Sequence, residues 1–397
     1  MPEMGRLLGW FEAGRLVRPS AEELNFVDLV RALARLAGVE GLPAGAGVEE
    51  LCRRIGPADH YVFVLIDGLG MGPLSRLPPG GFLPSHLVGR LQSVFLSTTA
   101  AALTTLATGQ WPCAHGVPGW WAYLDQHEMS IVTLPFVERS TGRGLTELGV
   151  LAEEVFPVPS IWPGPGHDHL TVLPGRITDT VYSRYACGGS PMAGYADLSA
   201  AFAIVREAVV SARGPTFTYL YLPQLDALSH VNGSGHELVG QVLAELDERL
   251  AALAEALAGR ARLVIGSDHG QIDVTDERRR LVPADDPMLS HLLCQPTGEP
   301  TVPIFHVRGG HEESFASEFA RRFGDCFALL SPQELEELQL LGPAKLSATM
   351  KRRLGTFVGI APQPATFYAV PSDGNPASIG THGGLSSGEM HVPLMLA

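Results

Sequence analysis

The stretch HYVFVLIDGLG, residues 60–70, decides the fold. From His60 to Ile66 the chain is almost continuously apolar, and the run then breaks at Asp67 and Gly68. A strand with one wet face would alternate, whereas an unbroken apolar run suits a strand covered on both faces, as in a parallel sheet. Two further segments repeat the design. TFTYLYLPQLD (216–226) runs apolar into Asp226, and ARLVIGSDHG (261–270) runs apolar into Asp268 and His269. Between them, HELVGQVLAELDERLAALAEALAGR (236–260) is apolar at i, i+3, i+4 and i+7, which predicts an amphipathic helix. Strand, helix and strand at this spacing form a βαβ crossover and imply parallel pairing. The expected fold is therefore α/β, a three-layer α/β/α sandwich around a mostly parallel central sheet. Open α/β sheets place their sites beyond the carboxyl ends of the strands. Acids that end three strands can meet there although they lie far apart in sequence.

Outward from this core, residues 21–56 carry helical periodicity interrupted by Gly and Pro. Residues 1–56 read as a helical N-terminal extension and 57–397 as the domain that carries the site. Residues 271–370 differ in character. Expected strands (TVPIFHV, TFVGIA, TFYAV) mix with a helix (EESFASEFARRFG) and a second helical patch (SPQELEELQLLG), so this region reads as a smaller α+β insertion or cap. The chain returns in IGTHGGLSSGEMHVPLMLA (379–397), which places His382 just before a final apolar strand.

Charge and cysteine content narrow the function. The 397 residues carry 28 Lys and Arg against 42 Asp and Glu, a net charge of −14. Such a balance disfavours long nucleic acid, whose binding relies on clustered cations. Five scattered cysteines without a CxxC pair argue against a disulfide framework and against a cysteine-built zinc site. No apolar run approaches the roughly 20 residues that cross a bilayer, and the N-terminus lacks a signal-like apolar core. A cytoplasmic protein without a membrane partner is the expectation.

Asp226 and His230 stand at i and i+4, on one face if the chain turns helical after its strand. Asp268 and His269 are adjacent and converge only where the backbone leaves strand geometry, which Gly270 permits. With Asp67 and His382 these make three carboxylates and three imidazoles, the number required by a two-metal site with a gap of about 4 Å. Taken singly, each has a plain reading: a strand-end Asp is commonly a cap or turn residue, and a DxxxH pair is commonly a solvated helix face. Only the joint pattern points to metal. Three imidazoles favour zinc, with manganese as the alternative. In FLSTTAAALTTLATGQWPCAHGV (95–117), Thr98 or Thr99 would lead a helix, where anions are attracted. A threonine hydroxyl there becomes a nucleophile once its pKa is lowered.

In order, VLIDGLG, a threonine leading to TG and PxxHG, then DxxxH, DHG and a late THG resemble the alkaline phosphatase superfamily. Within it, the pattern is similar to the nucleotide pyrophosphatase/phosphodiesterase branch, over most of the chain from Asp67 to His382. The resemblance implies a nucleophile nine positions before Thr108, which is Thr99. It implies one metal on Asp67, Asp268 and His269, which also binds the Thr99 oxygen, and a second on Asp226, His230 and His382. His236 resembles a site-lining histidine of the family, and Trp120 in GWWAY is a candidate wall for a flat substrate group, with Trp121 and Tyr123 beside it. The implied substrate is a small phosphate ester or anhydride, possibly a nucleotide in this branch, hydrolysed as a diester. A monoester or phosphonate hydrolase and a non-catalytic metal-binding relative are the alternatives. The pattern departs from the branch at Ala100, Ala101 and Ala102, where an aromatic, a proline and an asparagine are usual, and at Trp120, near where a phosphate-binding asparagine is usual.

Overall fold

The strand His60–Ile66 lies in the middle of a seven-stranded sheet. The computed structural model describes residues 2–162, 166–370 and 378–397. His60–Ile66 pairs in parallel with Thr216–Leu222 on one side and Ala261–Gly266 on the other. The amphipathic helix Glu237–Ala256 thus spans the central strand instead of joining neighbours. Asp168–Pro174 and Met192–Tyr195 extend the parallel part. At the other edge His391–Leu396 runs antiparallel to both Ala261–Gly266 and Leu87–Gln92. Ile66 sits opposite Leu222, and Leu65 opposite Gly266. That register makes Asp67, Pro223 and Ser267 leave the sheet at nearly one level, on one edge.

Side chains alternate along a strand, so the central strand feeds two cores. Tyr61, Phe63 and Leu65 share one with Phe26, Leu29 and Leu33 of the helix Phe26–Leu36 and with Ala100–Ala102 of the helix Thr99–Thr108. Val62, Val64 and Ile66 share the other with Val205, Leu243, Leu246 and Leu250, from the helices Leu198–Val210 and Glu237–Ala256. This is the α/β/α sandwich expected from the sequence. Each large apolar side chain buried in it contributes roughly 1.5–3 kcal/mol relative to exposure.

Near the N-terminus lie the helices Pro2–Glu12, Phe26–Leu36 and Ala46–Ile55, the last two inside the stretch 21–56 with helical periodicity. Phe26–Leu36 is amphipathic, with Phe26, Leu29, Val30 and Leu33 on its buried face and Arg35 exposed. It belongs to the layer that covers the sheet, capped by Asn25, whose side chain accepts from the Asp28 N–H at 3.0 Å.

A second seven-stranded sheet takes Thr297–Glu299, Val302–Phe305, Ala328–Leu330 and Phe357–Ile360 from the region 271–370. Its other three strands are Trp121–Leu124, Met129–Val132 and Val137–Glu138. The sheet is closed by chain from before and after the central strands, and its pairings are antiparallel. Phe305, Phe315, Phe319, Phe323 and Phe367 fill a separate small core beneath it. Among the described residues no helix is long and apolar enough to cross a membrane.

Candidate active site

At the carboxyl edge of the main sheet the three strand-ending acids meet. Asp67 follows its strand directly, and Gly68 then takes φ +74°. A Cβ at Gly68 would lie 3.1 Å from Asp226 Cβ, so glycine lets these two acids approach. Asp226 and His230 occupy the helix Gln224–Asn232, one turn apart on one face. Asp268 and His269 lie just past their strand, where a Cβ at Gly270 would fall 2.0 Å from the Gly388 carbonyl oxygen. His382 arrives from the segment before the last strand.

The three histidines are held alike. His230 Nδ1 lies 2.9 Å from the Gly380 carbonyl, His269 Nδ1 3.0 Å from that of Gly270, and His382 Nδ1 3.2 Å from that of Ser97. A carbonyl only accepts, so each Nδ1 is the donor there and Nε2 is the ring nitrogen turned toward the acids. All three Nε2 atoms face the acids. His269 Nε2 is 3.4 Å from Asp67 and 3.5 Å from Asp268, His230 Nε2 is 3.4 Å from Asp226, and His382 Nε2 is 3.7 Å from Asp226. Backbone carbonyls orienting imidazoles in this way are the usual outer support of a metal site.

The acids fit the same reading. Asp67 Oδ2 accepts from the Tyr221 hydroxyl and Asp268 Oδ1 from the backbone N–H groups of Gly68 and His269. Asp67 Oδ1 and Asp268 Oδ2 are buried with no hydrogen-bond partner among the described residues. Burial, then the neighbouring Asp268 and Asp226 carboxylates, push the Asp67 carboxyl well above the usual range. Burial and then the other two imidazoles hold His382 well below the usual histidine range. Buried carboxylates crowded together without a lysine or arginine partner call for a cation. Ligand atoms of Asp226, His230 and His382 lie within 4.8 Å of one another, and so do those of Asp67, Asp226 and His269. Asp226 thus belongs to both groups.

Thr99 opens the helix Thr99–Thr108, with Thr98 as its N-cap. The two hydroxyls go separate ways. Thr98 donates to Glu299, whereas Thr99 Oγ1 lies 3.1 Å from His269 Nε2 and lines the cavity beside the acids. Glu299 is fully enclosed, also accepts from the Trp120 N–H at 2.8 Å, and is pushed by burial up to about 7. Gln271 donates to Asp226 Oδ1.

Trp120 lines the cavity. Trp121 instead lies under Arg139, 4.0 Å from ring centroid to guanidinium carbon, and Tyr123 packs on His306 at 4.9 Å. His236 is exposed, caps the helix Glu237–Ala256 by accepting from the Leu238 N–H at 3.2 Å, and does not line the cavity. Sequence reasoning missed Glu299, Tyr221 and Gln271. Tyr221 was within reach, since it shares a strand face with Phe217 and Tyr219. Glu299, in the short segment TGEP, carried no signal.

The type I phosphodiesterase / nucleotide pyrophosphatase family model matches residues 62–385. A search of curated proteins finds no match. Among solved structures, murine ectonucleotide pyrophosphatase/phosphodiesterase 5 is similar with a TM-score of 0.64 at 18% identity, over 85% of this chain and 87% of that one. An inactive form of the same murine protein in complex with AMP aligns at 0.62, with the same identity and coverage. Phosphonoacetate hydrolase from Sinorhizobium meliloti 1021, in complex with phosphonoformate, aligns at 0.60 and 17% identity, over 85% and 89%.

Proposed function

The chain belongs to the type I phosphodiesterase/nucleotide pyrophosphatase family, and on that premise we propose that it hydrolyses a small phosphodiester or phosphoanhydride with Thr99 as nucleophile. The carrying observation is the separation of the two threonine hydroxyls. Thr98 is engaged with Glu299, while Thr99 faces the acid–histidine cluster and the cavity.

Two divalent cations, zinc by the count of imidazoles, would be held by Asp67, Asp268 and His269 and by Asp226, His230 and His382. When bound, they supply Lewis-acid charge that lowers the pKa of a hydroxyl and offsets charge on phosphoryl oxygens. Thr99 Oγ1 attacks phosphorus, and the bond to the departing alcohol or phosphate breaks. The helix N-terminus beneath Thr99 favours the anionic group gathered there. Gln271 and Tyr221 hold Asp226 and Asp67 in place through hydrogen bonds. A water then displaces Thr99 from phosphorus, releasing the second product. Two in-line displacements give net retention at phosphorus.

Trp120 stands near where the branch usually has an asparagine donor for phosphate, and this favours a second reading as a monoester or phosphonate hydrolase. Turnover of bis-p-nitrophenyl phosphate against p-nitrophenyl phosphate decides. A diesterase prefers the former, and a preference for the latter overturns the diester assignment.

A further inference from the structure

The cavity beside Thr99 has a volume of about 500 Å3, within the range of small-molecule sites. Asp67, Thr99 and Asp226 lie at its reacting end, and Leu103, Leu106, Leu173, Trp162, Phe217 and Tyr219 make up much of the rest. Apart from the two acids, Arg176, which is exposed, is the only ordinarily charged lining residue among those described. Thr180 and Ser183 also line it, but their hydroxyls are spent on each other and on the Ile177 carbonyl. Against so much apolar lining, a nucleoside, with its many donors and acceptors, would regain only part of the hydrogen bonds it makes with water.

His169 breaks the apolar pattern. Its ring stacks on Trp162 at 4.9 Å and on Phe217 at 5.3 Å, and it is 9% exposed. Neither ring nitrogen has a hydrogen-bond partner among the described residues. Burial pushes its pKa down to about 4, so it stays neutral and offers one N–H and one acceptor. Buried polar groups are normally paired, and a ligand group can pair these.

We propose that the organic part of the substrate is an uncharged, predominantly apolar alcohol esterified to phosphate, which fills this cavity and presents one hydrogen-bonding group to His169. This rests on the reading of the Thr99 site as a phosphoester hydrolase. Calorimetric titration of the metal-loaded protein with methylphosphonate, octylphosphonate, 8-hydroxyoctylphosphonate and AMP tests it without turnover. Octylphosphonate should bind at least about thirty-fold more tightly than methylphosphonate, given the methylenes it buries, and more tightly than AMP. The 8-hydroxy compound should gain a further factor of about five to ten from one hydrogen bond. His169→Phe keeps the ring stack and should abolish that last gain. Tighter binding of AMP than of octylphosphonate overturns the proposal, as does an unchanged hydroxy preference in His169→Phe. Failure to hydrolyse p-nitrophenyl octyl phosphate, with the octylphosphonate preference intact, would instead remove the hydrolase reading and leave the cavity assignment standing.

Discussion

Tyr221 donates its phenol to Asp67 Oδ2, and Asp67 Oδ1 is thereby left facing the histidines as a buried oxygen without a partner. The strand-borne phenol fixes the carboxylate in one orientation. Tyr221→Phe removes only the hydroxyl. It should weaken zinc retention by about 10- to 100-fold, the usual cost of losing outer support, as measured by competition with a chelator. Unchanged retention would mean that Asp67 is oriented by other groups.

Asp226 contributes to both clusters of ligand atoms. Asp226→Asn should therefore lower the bound metal from two ions per chain to one or fewer, by elemental analysis after dialysis. A variant that keeps two ions would place Asp226 outside the metal shell.

Gly68 turns at φ +74° against Asp226. Gly68→Ala should destabilise the protein by about 1–3 kcal/mol through backbone strain and the close contact, read as a lower denaturation midpoint. It should also reduce metal content by parting Asp67 from Asp226. Retained stability and metal would show that the loop has room to adjust.

Glu299 adds a pH dependence. Its folded pKa of about 7 exceeds the model-peptide value of 4.5 because of burial. The folded state then binds the proton more tightly than the unfolded state does. The stabilisation is complete below about pH 4.5 and is lost as pH rises to about 7. Glu299→Gln keeps the acceptor for Thr98 and Trp120 but cannot ionise. Between pH 5 and pH 8 the native metal-free protein should lose on the order of 3 kcal/mol relative to this variant, by chemical denaturation. A pH-independent difference would show that Glu299 does not hold a proton.

The sequence made the sheet readable because apolar runs ending in Asp67, Asp226 and Asp268 need little context. It could not order the strands: that His60–Ile66 lies between the other two depends on packing on both faces. The second sheet was only half visible, since Trp121 meets Gly298 across 177 positions of chain. The expected N-terminal extension contains Phe26–Leu36, whose buried face packs against partners that periodicity cannot name. At the site, i, i+4 spacing located Asp226 and His230, and the DHG turn located Asp268 and His269. Helix capping by His236 and the Glu299 contact to Thr98 are tertiary outcomes of single polar residues, which leave no pattern.

In the proposed reaction Thr99, and not Thr98, carries the phosphoryl group between the two displacements. The direct measurement is an acid quench of the zinc-loaded protein turning over bis-p-nitrophenyl phosphate, followed by peptide mass spectrometry across residues 91–139. Phosphate should appear on Thr99 and be absent from Thr99→Ala, whose turnover should fall by at least about a thousand-fold. Phosphate on Thr98, or full turnover by Thr99→Ala with no phosphopeptide, would contradict it.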